Sequence, residues 1–209
     1  MGEVSIKGGD IGHVAKVDLN NRLHGAVISE EEANHACDSG IAQKFNINTG
    51  DITLTDANQT DILYIQNSGD DDMVITAFIY NMGNSNSASA VNAKWDVYRN
   101  PTSGDIITNA NDVLVGADKQ ANQNYGSNNF MNGKFYKGAT SEGLSSGGAV
   151  SISSRLSNNT GRVVISLGAI VLSKGTSVIC SYTPPAGNTG QIVQCAAACY
   201  IRTVKVAAE

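Results

Sequence analysis

The sequence predicts an all-β fold, and its composition, strand patterning and turn residues are the observations that predict it. Only 16% of the residues are charged, well below the usual quarter, and Asn, Gly, Ser and Thr are abundant instead. This composition favours strands and turns over helices. Short apolar runs recur between polar loops, as in proteins built from two packed sheets. We therefore expect a jelly-roll-like β-sandwich preceded by an extended N-terminal arm and one short helix.

The first 28 residues are predicted to form the arm. The segment "HVAKVDLNNRLHGAVI" alternates around Asn20 and Asn21, which predicts a two-stranded hairpin. It carries too little apolar bulk for a core of its own. We therefore expect the arm to lie on another subunit or another protein.

Residues 29–40, within "AVISEEEANHACDSG", are predicted to form the short helix. Ser29 followed by Glu32 matches the capping box that starts a helix, and the two intervening glutamates fall in the first turn, where the helix dipole favours them. Gly40 supplies the left-handed stop. The predicted organisation is thus an N-terminal docking region, 1–40, followed by a β-sandwich domain, 41–209.

Glu32 and His35 raise an alternative for this helix, because E-x-x-H is the spacing that holds di-metal centres. Such centres take the motif from long facing helices and add further glutamates. Here the helix has about two turns, and the sequence holds no second E-x-x-H. We interpret the charges as helix-start signals and predict no metal site.

The remainder of the chain is predicted to consist of strands and turns. The apolar or alternating runs lie at 51–55, 61–67, 73–83, 92–100, 149–156, 161–185 and 190–206. Asn132-Gly133 in "NFMNGKFYKG" predicts a further hairpin between aromatic flanks. The segment "TPPAGNTGQIVQ" predicts a rigid corner between the last two strands.

The strand "WDVYRNP" predicts a half-buried surface. Trp95 and Val97 alternate with Asp96 and Tyr98, so one pair is expected to face the core and the other solvent.

Four cysteines, Cys37, Cys180, Cys195 and Cys199, are expected to be reduced and mostly buried. Cys195 and Cys199 are four residues apart, so on a strand both point to the same face. They could be metal ligands, but no second Cys or His pair lies close in sequence. We favour small buried residues in a sheet.

Two loop features leave alternatives open. Asp70, Asp71 and Asp72 in "NSGDDDMV" could bind a cation weakly, but the run lacks the alternating ligands of a calcium loop, and a solvated turn explains it as well. Tyr125 in "QNYGSNN" could be a sugar-binding platform. We favour an aromatic residue that anchors a long loop.

Several function classes are not expected. The formal net charge of -5 gives no basic footprint for nucleic acid, and no apolar run approaches the ~18–20 residues of a membrane span. The one G-x-S-x-G match, Gly143 to Gly147 in "GLSSGG", does not open a helix after a strand, and the histidines are confined to residues 13–35. We therefore predict a protein that is not an enzyme, with no catalytic residues and no cofactor.

A string of short motifs resembles a class of tailed-bacteriophage virion structural proteins. The motifs are "NRL", "AVI", an acidic-Ala helix ending in Gly, "NINTGDITLT", "LYIQNSGDDDMVITAFIYNMG", "VYRNPTSGDII", "NYGSN", "YKGATSEGL" and "PPAGNTG". The likeness runs from about residue 11 to about residue 200. It includes no catalytic motif.

The resemblance implies a non-enzymatic virion protein of the head-decoration or head-associated type. The expected function is capsid decoration or cementing, with the N-terminal region bound to the head and the β-sandwich displayed outward. The expected partners are the major capsid protein or other virion proteins, with self-association into a homo-oligomer such as a trimer. The expected location is the virion, assembled in the bacterial cytoplasm. The alternative is a receptor- or glycan-binding module of a tail or head fibre, acting through loops 83–90 and 118–129.

Overall fold

The structure is a computed structural model, and it consists mostly of antiparallel β-strands in the part that it describes. The all-β prediction is therefore confirmed. The structure describes residues 7–8, 13–14, 16–17, 23–24, 44–84, 92–104, 106, 121–139, 148–155, 162–187 and 189–202. The strands of these residues, in chain order, are Lys7–Gly8 (β1), His13–Val14 (β2), Lys16–Val17 (β3), Leu23–His24 (β4), Lys44–Asn48 (β5), Ile52–Thr53 (β6), Thr60–Asn67 (β7), Asp72–Asn84 (β8), Lys94–Arg99 (β9), Ala121–Asn122 (β10), Gly133–Lys137 (β11), Ala149–Arg155 (β12), Arg162–Leu172 (β13), Ser177–Thr183 (β14) and Gln191–Arg202 (β15).

Contacts divide the chain into two units, Met1–Glu31 and Glu32–Glu209. In the first unit β1 pairs with β2 and β3 pairs with β4, both antiparallel. The register Lys16↔His24 and Val17↔Leu23 centres on Asn20, which confirms the predicted hairpin. The predicted helix at 29–40, with Ser29, Glu32, His35 and Cys37, lies outside the described residues, as does the predicted boundary at residue 40.

The second unit contains two large antiparallel sheets. Sheet one has the strand order β10-β5-β15-β8-β13, with β6 pairing further along β15. Sheet two has the order β11-β7-β14-β9-β12. The strands of the two sheets correspond to the runs predicted from the sequence, with two exceptions. The run 161–185 divides into β13 and β14, and β5 and β10 were not predicted.

The eight principal strands of these sheets pair in a nested order. In chain order these strands are β5, β7, β8, β9, β12, β13, β14 and β15. The first, β5, pairs with the eighth, β15, and the second, β7, pairs with the seventh, β14. The third, β8, pairs with the sixth, β13, and the fourth, β9, pairs with the fifth, β12. Successive nested pairs alternate between sheet one and sheet two.

Buried side chains from both sheets form one hydrophobic cluster. Strand β15 contributes every second residue to it, as its alternating burial shows. The ring of Trp95 in sheet two stacks on Tyr80 of sheet one, with centroids 4.0 Å apart, and also packs against Tyr182 at 4.5 Å. The segment "TPPAGNTG" joins β14 of sheet two to β15 of sheet one, which confirms the predicted corner.

Strand β9 is buried on both faces. Trp95 and Val97 belong to the core, as predicted, but Asp96 is also buried, with 0% of its surface exposed. The prediction that Asp96 faces solvent is wrong. Sheet two carries a second apolar cluster, in which Ile106 packs with Tyr64 and Ile179. The outer face of this sheet is therefore partly covered by another part of the chain. The alternation of residues within β9 contains no information about that contact.

The hairpin predicted at Asn132-Gly133 is also wrong. Gly133 begins β11, which pairs with β7 through Gly133↔Asn67. A Cβ at Gly133 would lie 2.7 Å from the carbonyl oxygen of Gln66, so glycine here permits close approach of two strands rather than a turn.

Candidate functional site

A polar cleft lies where the β7–β8 turn meets the segment that leads into β11. Its volume is about 340 Å³, and its lining includes Asp70 and Asp71 from the turn and Asn129, Phe130 and Asn132 from the segment. We call these five residues with their intervening space the Asn-Phe cleft.

The turn that forms one wall is held by the buried side chain of Asn67. Its Nδ2 donates to the carbonyl oxygens of Leu172 at 2.7 Å and Asp71 at 2.8 Å. Its Oδ1 accepts a hydrogen bond from Gly69 N at 2.9 Å. Both donors of this amide and its oxygen therefore fix the turn and tie it to the end of β13.

The same turn is tied to the opposite wall through the backbone. Ser68 N and Gly69 N donate to the carbonyl oxygen of Asn132 at 2.9 and 3.1 Å. Both walls of the Asn-Phe cleft are thus preorganised by hydrogen bonds within the chain.

Asp70 and Asp72, in the run of three consecutive aspartates, make ion pairs. Lys174 Nζ lies 2.6 Å from Asp70 Oδ1, and Arg202 Nη2 lies 2.9 Å from Asp72 Oδ2. The hydrogen bond and the positive charge of Lys174 lower the pKa of the Asp70 carboxyl. A hairpin tip at this run is not what the structure has: Asp70 and Asp71 lie in the turn that joins β7 of sheet two to β8 of sheet one, and Asp72 begins β8. Among the described residues, no group of three or more His, Cys, Asp or Glu side chains is arranged to hold a metal ion.

The loop before the cleft is fixed by short-range polar contacts. Asn122 Oδ1 accepts from Asn124 N at 2.9 Å, and Asn124 Oδ1 accepts from Gly126 N at 3.1 Å. Gln123 Nε2 donates to Asn46 Oδ1 at 2.9 Å. Amide side chains thus hold the loop in place, as they commonly do in turns.

Aromatic side chains do not anchor this loop. Tyr125 is 97% exposed and Phe130 is 67% exposed. The interpretation of Tyr125 as a loop anchor is therefore wrong, because its ring contributes almost nothing to burial. The signal for this arrangement in the sequence is the run of Asn and Gln residues, whose side chains commonly hold turns.

The described cysteines are structural. Cys180, Cys195 and Cys199 are free and buried, and the last two share the inner face of β15 as predicted. Burial raises the pKa of the Cys199 thiol to about 12, and burial together with a hydrogen bond to Cys180 raises that of Cys195. The Cys195 and Cys199 thiols therefore stay protonated near neutral pH, so these two are poor nucleophiles and poor metal ligands. Cys37 lies outside the described residues.

A buried polar cluster on the outer face of sheet two was not predicted. Ser181 lies between Asp61 of β7 and Asp96 of β9 in the strand register. Its hydroxyl donates to the Asp61 carboxylate. Asp96 Oδ2 pairs with Lys94 Nζ at 2.8 Å and accepts from Gln59 Nε2 at 3.3 Å.

This cluster does not contain the partners that activate a serine. A nucleophilic serine needs an adjacent base, most often histidine, and the strands of sheet two, as the structure describes them, contain no histidine. The contacts instead give each of the two buried carboxylates a polar partner, while Asp96 Oδ1 itself makes no hydrogen bond. No signal in the sequence placed Asp61 beside Ser181, because they are distant along the chain.

Neither the protein-family models nor the curated proteins include a match to this sequence. Among the described residues, no helix has the length and apolar character needed to cross a membrane.

Proposed function

We propose that the second unit is a jelly-roll β-sandwich. The support is the nested pairing of its eight principal strands, first with eighth through to fourth with fifth, alternating between two sheets. That order is what results when one long antiparallel ribbon wraps into two facing sheets. The hydrophobic cluster shared by both sheets supports face-to-face packing.

We further propose that the protein is a non-enzymatic structural component of a bacteriophage virion, with capsid decoration as its function. Jelly rolls are frequent in viral capsid proteins, and the motifs from "NRL" to "PPAGNTG" resemble phage virion proteins. Fold alone does not determine function. The proposal therefore depends mainly on the N-terminal region.

The N-terminal strand pairs are the observation that carries the proposal. In the described part of the chain, β1 to β4 form separate two-residue pairs, and none of them belongs to sheet one or sheet two. Two-stranded ribbons of this size are not stable alone in water. We infer that a partner surface stabilises them, namely the major capsid protein or another virion protein, during assembly in the bacterial cytoplasm.

We propose self-association through the edge strands. Among the described residues, the exposed large hydrophobic side chains include Val150, Val164 and Val171. These lie on β12 and β13, which end the two sheets. Strand β13 has 11 residues, contains no proline, and carries one charge, Arg162. Natural edges are usually shortened or charged to prevent pairing. None of the described strands pairs with the outer edge of β13, and a second copy would present the same edge, so it is the occupant we propose.

Sedimentation velocity of the wild type and Val164→Lys tests this interface. We expect a concentration-dependent oligomer for the wild type and a shift to monomer for the variant, because charge on an edge disfavours strand pairing. Tyr125→Lys is the matched control and should leave the oligomer unchanged. A wild type that is monomeric at all concentrations, or an oligomer unaffected by Val164→Lys, contradicts the proposal.

The docking role is tested by measuring occupancy on particles that lack the protein. We expect full-length protein to rebind and a chain lacking residues 1–28 to lose occupancy. Circular dichroism of the truncated chain checks that its sheets remain folded. Truncated protein that decorates at wild-type occupancy contradicts the docking model.

A second variant keeps the full chain. Val17→Asp with Leu23→Asp places like charges opposite each other in the β3–β4 register, which destabilises a strand pair. We expect reduced occupancy with unchanged thermal unfolding of the two sheets, whereas unchanged occupancy again argues against docking through this region.

A further inference from the structure

We propose that the Asn-Phe cleft binds a neutral saccharide. This inference does not depend on the virion proposal. It gives a specific place and ligand class to the receptor- or glycan-binding alternative raised by the sequence, which had pointed to Tyr125 and to loops 83–90 and 118–129.

The dimensions of the cleft suit one or two sugar rings. Its volume of about 340 Å³ lies at the lower end of the range for small-molecule sites. Its lining also includes Phe45, Met131 and Ile201, of which Phe45 and Met131 are buried. The cleft therefore combines a partly apolar base with polar walls.

The walls carry the groups that hydroxyl ligands require. Asp70 and Asp71 offer carboxylate oxygens that accept hydrogen bonds, and Asn129 and Asn132 offer amides that both donate and accept. A sugar hydroxyl is itself both donor and acceptor, so it can pair with either type. Because the two walls are already tied together at Asn132, little ordering is needed on binding.

Phe130 supplies the apolar part of the recognition. Its ring lines the cleft and is 67% exposed, on a segment whose backbone is tied by Ser127 Oγ accepting from Asn129 N at 3.1 Å. An exposed ring on a fixed segment is a ready platform for the C–H face of a sugar. The hydroxyls of the same sugar would then point at the carboxylate and amide groups.

The charge of the cleft selects against anionic ligands. Its described lining contains two carboxylates and no Lys or Arg side chain. Lys174, outside the lining, pairs with Asp70 at 2.6 Å. A phosphate or an acidic sugar would come close to the two carboxylates, and no cationic side chain of the described lining would contact it.

Ligand-observed saturation-transfer NMR on the full-length protein tests the proposal. The probes are methyl β-glucoside, methyl β-galactoside and N-acetylglucosamine, with N-acetylneuraminic acid as the anionic comparison. We expect saturation of at least one neutral probe and none of the acidic sugar. No saturation of any neutral probe overturns the proposal, and equal saturation of the acidic sugar overturns the assigned ligand class.

Variants locate the site. Phe130→Ala is expected to raise the Kd of the neutral probe about tenfold. Because the Phe130 ring is exposed, we expect this variant to keep the fold. Tyr125→Ala removes another exposed aromatic that does not line the cleft and should leave binding unchanged. Binding lost in Tyr125→Ala but kept in Phe130→Ala overturns the assignment to this cleft.

Discussion

Tyr80 of sheet one and Trp95 of sheet two stack with ring centroids 4.0 Å apart and planes inclined by 22°. They are among the largest fully buried side chains of the described residues. The two rings join the sheets at the centre of the shared core, where the sequence alone marks Trp95 only as a core-facing residue of a strand.

Replacing Trp95 with alanine is expected to lower the free energy of unfolding by about 3–5 kcal/mol, because it removes a large buried side chain and leaves a cavity between the sheets. Chemical denaturation followed by circular dichroism measures the change. Tyr125→Ala serves as the control and should change stability by less than about 0.5 kcal/mol, since its ring is exposed. Equal effects of the two substitutions would refute this description of the core.

Removing the hydroxyl of Ser181 is expected to destabilise the protein. Ser181→Ala takes a hydrogen bond from the buried carboxylate of Asp61, and loss of a partner by a buried charged group costs about 1–3 kcal/mol. Ser173→Ala, on an exposed residue, is the matched control. In the double variant with Asp61→Asn, the two effects should not add, and strict additivity would show that the two side chains are not coupled.

The ion pair between Lys174 and Asp70 predicts a measurable titration. Lys174 lowers the pKa of Asp70, so Lys174→Met should raise that pKa toward the ordinary aspartate value, whereas Lys134→Met should not. Side-chain carboxyl NMR measures both. Because the folded-state pKa is depressed, the contribution of the pair to stability is present above the ordinary pKa of an aspartate and is lost as pH falls through the lower folded value. An Asp70 pKa that is the same in wild type and Lys174→Met contradicts the pair.

Alkylation should leave the described cysteines unmodified in the folded protein. Burial raises the pKa of Cys199 to about 12 and also raises that of Cys195, so neither thiolate forms at pH 8. Iodoacetamide labelling with peptide mass spectrometry should find Cys180, Cys195 and Cys199 unlabelled in native protein and labelled in urea. Rapid native labelling of any of the three would show that the core is not closed around it.

The predictions that held depend on local patterning. Alternation and β-branched runs located most of the strands, the Asn20-Asn21 turn located the β3–β4 hairpin, and four-residue spacing placed Cys195 and Cys199 on one face. Each of these properties belongs to a few neighbouring residues.

The predictions that failed depend on distant partners. Asp96 is buried on a face of sheet two that carries a second apolar cluster, Gly133 meets Gln66 of β7, and Tyr125 is exposed because amides hold its loop. The Asn-Phe cleft was not predicted as a unit, because its walls come from segments about 60 residues apart that are brought together by strand pairing and by the hydrogen bonds to Asn132.

The most direct test of the virion proposal is imaging of purified phage particles whose copy of this protein carries an accessible label. We predict many labelled copies per particle, distributed over the head, and loss of that label when residues 1–28 are removed. Particles that carry no label on any part, although the labelled protein is expressed and folded in the infected cell, would contradict the proposal.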